Sequence, residues 1–200
     1  MAKTALENLL ARQVVLADGA MGTMLYHYGV FLNTCFDEVN LSNPRLVKKV
    51  HDGYVSVGVD FIETNTFGAN EYKLARYGLG EDVEKINRAG VEIAREAAQD
   101  RVLVAGSIGP LGREMTTHGK VTAEQARSAF VRQAGALAEA GVDFLILETF
   151  PSVDELLVAI RSAREVCDLP IVAQLTVNES DETIYGEKVQ QAIPRITAEQ

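Results

Sequence analysis

The sequence predicts an α/β fold, a (β/α)8 TIM barrel of which this chain supplies about the first five βα units. Three observations carry this reading. Short, nearly continuous apolar runs alternate with amphipathic helical stretches, the pattern of a parallel sheet covered on both faces. The segment from Gly58 to Phe67 aligns without a gap on that from Gly141 to Phe150, and both follow a helical pattern. Their shared Gly-Val-Asp start suits a tight turn from helix into buried strand. Polar residues also gather at strand carboxyl ends (Asp18, Asn65, Ser107, Glu148 and Thr176), which form the mouth of such a barrel. An open dinucleotide-binding sheet would instead carry Gly-x-Gly-x-x-Gly after its first strand. Asp18-Gly19-Ala20-Met21-Gly22 misses that spacing.

The elements follow in order. Val14 to Asp18 reads as a short buried strand ending in a carboxylate, with Gly19 and Gly22 in the turn after it. Asn43 and Pro44 open a helix as cap and first residue, and Leu46, Val47, Val50, Tyr54 and Val57 recur at helical spacing. The second strand is Asp60 to about Thr66. The next helix carries Val83, Ile86, Gly90, Ile93, Ala94 and Ala97 on one face. Val102 to Gly106 is the third strand, and a long polar loop runs from Gly109 to Lys120. Thr122 and Gln125 form a capping box for a helix bearing Ala126, Ala129, Phe130, Leu137 and Ala140. Phe144 to Glu148 is the fourth strand, followed by a second capping box at Ser152 and Glu155. Leu169-Pro170 lead into the fifth strand, Ile171 to Thr176. The tail from Lys188 is expected to be helical, with Pro194 in its first turn. A whole barrel needs about 250 residues and eight strands. Five strands among 200 residues suggest the N-terminal part of a longer protein.

Bulk properties exclude some functions. A net charge of -9 without a basic run argues against a nucleic-acid surface. No apolar run reaches the ~20 residues that span a bilayer, and the start lacks the apolar stretch of a signal peptide. A cytoplasmic protein is expected. Cys35 and Cys167 make neither a disulfide framework nor a metal spacing. Cys167 extends the stripe Leu156, Ile160, Ala163 as a small core residue, and Cys35 lies in a polar connection where partial exposure is expected. His27, His51 and His118 are too scattered for zinc. His118 falls in the loop after the third strand, on the functional side.

Asp18 and Glu148 are the best candidates for chemistry. Each ends a buried strand, so rigid backbone holds each carboxylate at the mouth. Such a pair can bind an ammonium group, act as acid and base, or hold a metal. A helix cap or an ion pair with a nearby Arg is the plainer alternative. Strand alternation puts Phe61, Glu63 and Asn65 on one face, matching Phe144, Ile146 and Glu148. Asn65 should then face the mouth with Glu148, while Thr64 and Thr66 turn away. Glu63 should lie one layer deeper and need a partner to stay charged. Ser107 and the Gly109/Gly112 loop can offer N–H groups to an anion, although a tight loop explains them equally well.

Four motifs taken together resemble the homocysteine S-methyltransferase family. They are Asp18-Gly19-Ala20-Met21-Gly22-Thr23, Glu63 through Asn70, Gly106-Ser107-Ile108-Gly109-Pro110, and Glu148-Thr149-Phe150. The likeness runs from about Leu10 to the end. It is nearest to the homocysteine-binding domains of bacterial methionine synthases and of bifunctional homocysteine methyltransferase/methylenetetrahydrofolate reductases. The resemblance implies one domain over residues 1–200, the N-terminal part of a homocysteine-binding barrel. The implied reaction is methyl transfer to the thiolate of homocysteine, giving methionine. By the same likeness Asp18 and Glu148 hold the substrate amino group, and Asn65, Thr66, Gly19, Ala20 and the Gly68-Ala69 backbone line the pocket. The family uses zinc held by three cysteines after the sixth and eighth strands, so the ligands are expected beyond Gln200 and the chain alone is expected to be inactive. The implied partners are homocysteine and a methyl donor or donor-binding domain, possible donors including methyl-corrinoid fed by methyltetrahydrofolate. Two rival readings stand beside this one. They are another small-metabolite barrel enzyme using Asp18 and Glu148 as acid and base, and a non-catalytic barrel fragment completed by a partner chain.

Overall fold

The computed structural model describes residues 4–112 and 121–199. His118, and the loop from Gly109 to Lys120 beyond Gly112, lie outside them. Helices α1 (Ala5–Leu10), α2 (Met21–His27), α3 (Val39–Ser42) and α4 (Pro44–Ser56) precede strand β1 (Phe61–Glu63). A short helix α5 (Glu71–Leu74) and two 3-10 turns lead to α6 (Val83–Ala98). Then β2 (Leu103–Ile108), α7 (Ala123–Ala140), β3 (Phe144–Phe150), α8 (Val153–Arg164), β4 (Ile171–Leu175) and α9 (Val189–Thr197) follow. The four strands form one parallel sheet in the order β1-β2-β3-β4. Consecutive parallel neighbours joined by helices are the winding of a TIM barrel.

The two near-repeats start their strands by one device. Gly58 and Gly141 end helices at φ 88° and 93°, a left-handed conformation that suits glycine. The aspartate two residues on then reaches back to the preceding β-segment. Asp60 Oδ2 accepts the Leu16 N–H at 2.7 Å, and Asp143 Oδ2 accepts the Val104 N–H at 2.7 Å. Each carboxylate therefore locks the register of its strand on its neighbour.

Alternation divides the core into two layers. Phe61, Ala105, Phe144 and Ile146 face inward, where Phe61 and Phe144 meet edge to face at 5.2 Å and Leu6 of α1 packs beside them. Ile62, Val104, Ile108, Leu145, Leu147 and Phe150 face outward against α6, α7 and α8. Helix starts follow the sequence signals. The Asn43 side chain accepts from Leu46 N, Pro44 is the first residue of α4, and Thr122 and Gln125 make a complete capping box.

Several expectations need correction. Val14 to Asp18 is no full strand. It makes one parallel bridge, Ala17 to Phe61, and Val14 and Leu16 are 94% and 57% exposed. Carboxylates replace the ladder at both ends: Asp60 takes the Leu16 N–H, and Asp18 Oδ2 takes the Glu63 N–H at 3.1 Å. The second strand stops at Glu63 rather than near Thr66, because the chain turns where Thr66 N–H meets Thr64 O. Val57 is exposed, since α4 ends at Ser56 and Val55 takes the buried position. Pro194 lies mid-helix, not in the first turn of α9, and removes one internal hydrogen bond there. Cys35 is buried, and Cys167 packs partly buried against the core.

Candidate functional site

A cavity of about 410 Å³ opens at the carboxyl ends of β1, β2 and β3. Asp18, Gly19, Ala20, Asn65, Thr66 and Glu148 line it, together with Glu63 and Ser107. Asp18 enters from the turn after the Ala17 bridge. There its carboxylate accepts the Glu63 N–H and so stands where a strand carbonyl would. Glu148 is aimed by a β-bulge. Leu147 pairs with Ala173 and Phe150 with Leu175, so the Glu148-Thr149 pair faces the single residue Gln174. Thr149 has φ 60°, an uncommon conformation for a β-branched residue. The Ser107 hydroxyl donates to Glu148 Oε1 at 2.5 Å.

Glu63, paired with Ala105 on the rung of Phe144, still reaches the cavity that Glu148 lines. The acidic groups around it there are Glu148 and Asp18. Barrel strands tilt and stagger, so residues at one height are not those on one rung of the ladder. The partner expected for Glu63 is thus another carboxyl. Among the described residues no ion pair engages Asp18, Glu63 or Glu148. Burial, aided by repulsion from Glu148, pushes the Asp18 carboxyl up to about 7. Burial first, then Glu148 and Asp18, push Glu63 up to about 9. The cavity is therefore a cation-seeking site that holds protons while no cation is bound.

The loop from Thr64 to Asn70 forms one wall, and buried amides hold it. Asn65 Nδ2 donates to Phe36 O (2.7 Å) and Asn40 Oδ1 (3.0 Å), which leaves at most its amide oxygen for a ligand. The Thr66 hydroxyl donates to Ser107 O at 2.8 Å, so its side chain supports the wall. The Gly68 N–H is likewise engaged, by Asp37 Oδ1 at 2.8 Å. Asn40, Asn87 and Gln133 reach the carbonyls of Asn65, Ala69 and Thr66 from α3, α6 and α7. Sequence reasoning passed over these three. Their signal was available for two of them: Asn87 and Gln133 are polar residues on the apolar faces of α6 and α7. Glu155 also departs from expectation. Ser152 caps α8, but the Glu155 carboxylate accepts the Leu111 N–H at 2.7 Å instead of closing a capping box, and so anchors the loop after β2.

Behind the cavity, Lys73 Nζ lies 4.1 Å from the Phe67 ring centre. Burial lowers its pKa, opposed by the charges of Asp37, Glu155 and Glu148. Lys73 is therefore already matched by surrounding acids, and it backs the wall.

The described residues do not fit zinc. No group of three or more His, Cys, Asp or Glu among them is placed to hold a metal ion. Burial and Asp37 push the Cys35 thiol up to about 11, the opposite of what a metal thiolate requires.

A family model described as homocysteine S-methyltransferase matches residues 15–200. The chain belongs to the homocysteine S-methyltransferase family. Within it, the chain is 27% identical over 210 residues to methionine synthase of Mycobacterium tuberculosis, across 96% of this chain and 18% of that protein. The Mycobacterium leprae methionine synthase is also 27% identical, across 96% of this chain and 17% of that protein. The chain thus spans under a fifth of these relatives. Its fold is similar to the crystal structure of the homocysteine methyltransferase MmuM from Escherichia coli. The metallated form gives a TM-score of 0.85 at 26% identity, covering 96% of this chain and 74% of that one. The oxidized form gives 0.86 at 26% identity, covering 98% and 73%.

The bulge beside this cavity supports a direct test. Thr149→Gly removes left-handed strain of about 1–2 kcal/mol, partly offset by the greater freedom of glycine in the unfolded chain. Thermal denaturation should show stability raised by about 0.5 kcal/mol. Affinity of the cavity for a cationic ligand should fall severalfold, because the Glu148 carboxylate loses its fixed direction.

Proposed function

We propose that this chain is the homocysteine-binding, N-terminal part of a TIM barrel that moves a methyl group onto the sulfur of homocysteine, forming methionine. One observation carries the reading: in a member of this family, Asp18, Glu63 and Glu148 converge on one cavity at the barrel mouth. An amino acid brings an α-ammonium, and a desolvated acidic cluster is its electrostatic complement. Asp18 and Glu148 accept from the ammonium, with Ser107 fixing the latter. Met21, Phe36 and Phe67 supply the apolar wall that suits the methylenes and sulfur. Asn65 offers its amide oxygen, Thr66 supports the wall from behind, and Gly19 and Ala20 leave the rim open.

The zinc implied by the family resemblance would hold the thiol as thiolate. The described residues do not fit it, and the task proposed for this chain is to grip and orient the amino-acid end. The family resemblance implies a methyl donor or a donor-binding domain as partner, with methyl-corrinoid among the donors. The reading places the protein in the cytoplasm, where two free thiols persist. No helix among the described residues is long and apolar enough to cross a membrane.

Calorimetric titration with L-methionine, the reaction product, tests the site. Saturable binding is expected, and 4-(methylthio)butanoate, which lacks the amino group, should bind at least about tenfold more weakly. Equal affinity for the two ligands would remove the ammonium site. The chain alone should retain no stoichiometric zinc and form no methionine from homocysteine and methyl donor.

A further inference from the structure

We infer that Glu63, before a ligand binds, is a carboxylic acid that positions Glu148 through a shared proton, and that this proton leaves to solvent when an ammonium ligand enters. The inference rests on the proposed homocysteine site and deepens it. It makes substrate uptake an exchange of one cation for another.

The geometry supports it in three ways. Glu63, Glu148 and Asp18 line one cavity, no ion pair among the described residues neutralises them, and carboxyl groups gathered there are held together by a proton. Ser107 cannot supply that proton, because its single hydroxyl hydrogen is directed to Glu148 Oε1. Asp18 meets Glu148 through its charge, and its Oδ2 is held by the backbone N–H of Glu63 itself. The groups facing the pair are Asp18 from the first turn, Tyr54 from α4 behind Asp18, and Lys73, whose charge reaches Glu148 from behind Phe67. Two of these are acidic, and Lys73 is shared with Asp37 and Glu155. Burial and the neighbouring carboxylates raise Glu63, in agreement with that placement. An arriving ammonium supplies the missing positive charge and removes the reason for holding the proton. One N⁺–H donor replaces one O–H donor, and the released proton goes to buffer.

L-Methionine is the probe, because it has no thiol whose ionisation would confuse the count. Titration near pH 7.5 in two buffers of different protonation enthalpy should report about one proton released per methionine bound. Affinity should then rise by up to about tenfold per pH unit between pH 6 and 8. In Glu63→Gln the amide still donates to Glu148 but has no proton to lose. Both the proton count and the pH slope should fall to roughly a third or less. A purely structural role for Glu63 would move neither readout. Equal counts and slopes in the two proteins would overturn the assignment to Glu63. Methionine binding without proton release in the unaltered protein would overturn the exchange, and it needs no variant to fold. A flat titration in both proteins would locate the failure in the ammonium site itself.

Discussion

Glu148→Gln should weaken L-methionine binding by about 10- to 100-fold, the loss of a charge-assisted hydrogen bond worth about 1.5–3 kcal/mol. The substitution keeps the shape of the side chain and leaves an amide that meets the ligand ammonium donor to donor. It also removes one of three acidic groups sharing a cavity, so thermal stability should hold or rise. This opposition is the informative part. A residue that served only packing would lose stability and affinity together. If Glu148→Gln binds methionine within about twofold of the unaltered protein, Glu148 is not the ammonium acceptor. Calorimetry and a melting curve on the same sample settle both.

The second large effect is on stability against pH. Glu63 and Asp18 hold protons in the folded cavity that they would lose in the unfolded chain. The folded state binds more protons between the ordinary carboxylate range and the raised values, so stability falls as pH climbs through that window. The contribution is fully present below about pH 4 and is lost as pH rises through about 7 for Asp18 and about 9 for Glu63. Glu63→Gln should therefore be nearly neutral at pH 4–5 and stabilising by on the order of 3 kcal/mol at pH 8. Urea denaturation at the two pH values measures it, and equal midpoint shifts at both would contradict it. His51 acts in the other direction. It is buried in α4, neither ring nitrogen has a partner among the described residues, and burial lowers its pKa to about 4. Its neutral form is favoured in the fold, so its contribution is present above pH 6.5 and lost as pH falls toward 4. The acid limb of the stability curve should track His51, and the alkaline limb the carboxyl cluster.

Much of this arrangement was legible in the sequence, in a graded way. The helices were clear because amphipathic faces, the Asn43-Pro44 start and the Thr122/Gln125 box are local signals. The parallel sheet was clear because apolar runs and helices alternate. The Gly-Val-Asp repeat was recognised as turn chemistry. Its further use, a carboxylate clamping the preceding β-segment, needed the neighbouring chain to be seen. Strand ends were less legible. Residue preference gives no stop before Thr66, since threonine suits strands, whereas the backbone turns after Thr64 to build the cavity wall.

The site divided along the same line. Asp18 and Glu148 could be named from position alone, since each follows an apolar run at the end where barrels open. Asn65 and Thr66 could be placed at the cavity, yet their polar atoms go mostly into the wall: Asn65 to Asn40 and Phe36, Thr66 to Ser107. Asn40, Asn87 and Gln133 looked like incidental polar residues until their amides met the carbonyls of that loop.

The sequence by itself determined the class of fold, the order of its elements and the rim from which two acidic side chains would project. Those are consequences of periodicity and of residue preference at turns, which act over a few neighbours. Only the tertiary structure decided that Glu63 shares the cavity of Glu148 and that a bulge at Thr149 aims the latter. Height within a barrel depends on strand tilt and stagger, which no single strand encodes. Which carboxyls share a cavity, and how deeply each is buried, are set only once the chain is folded.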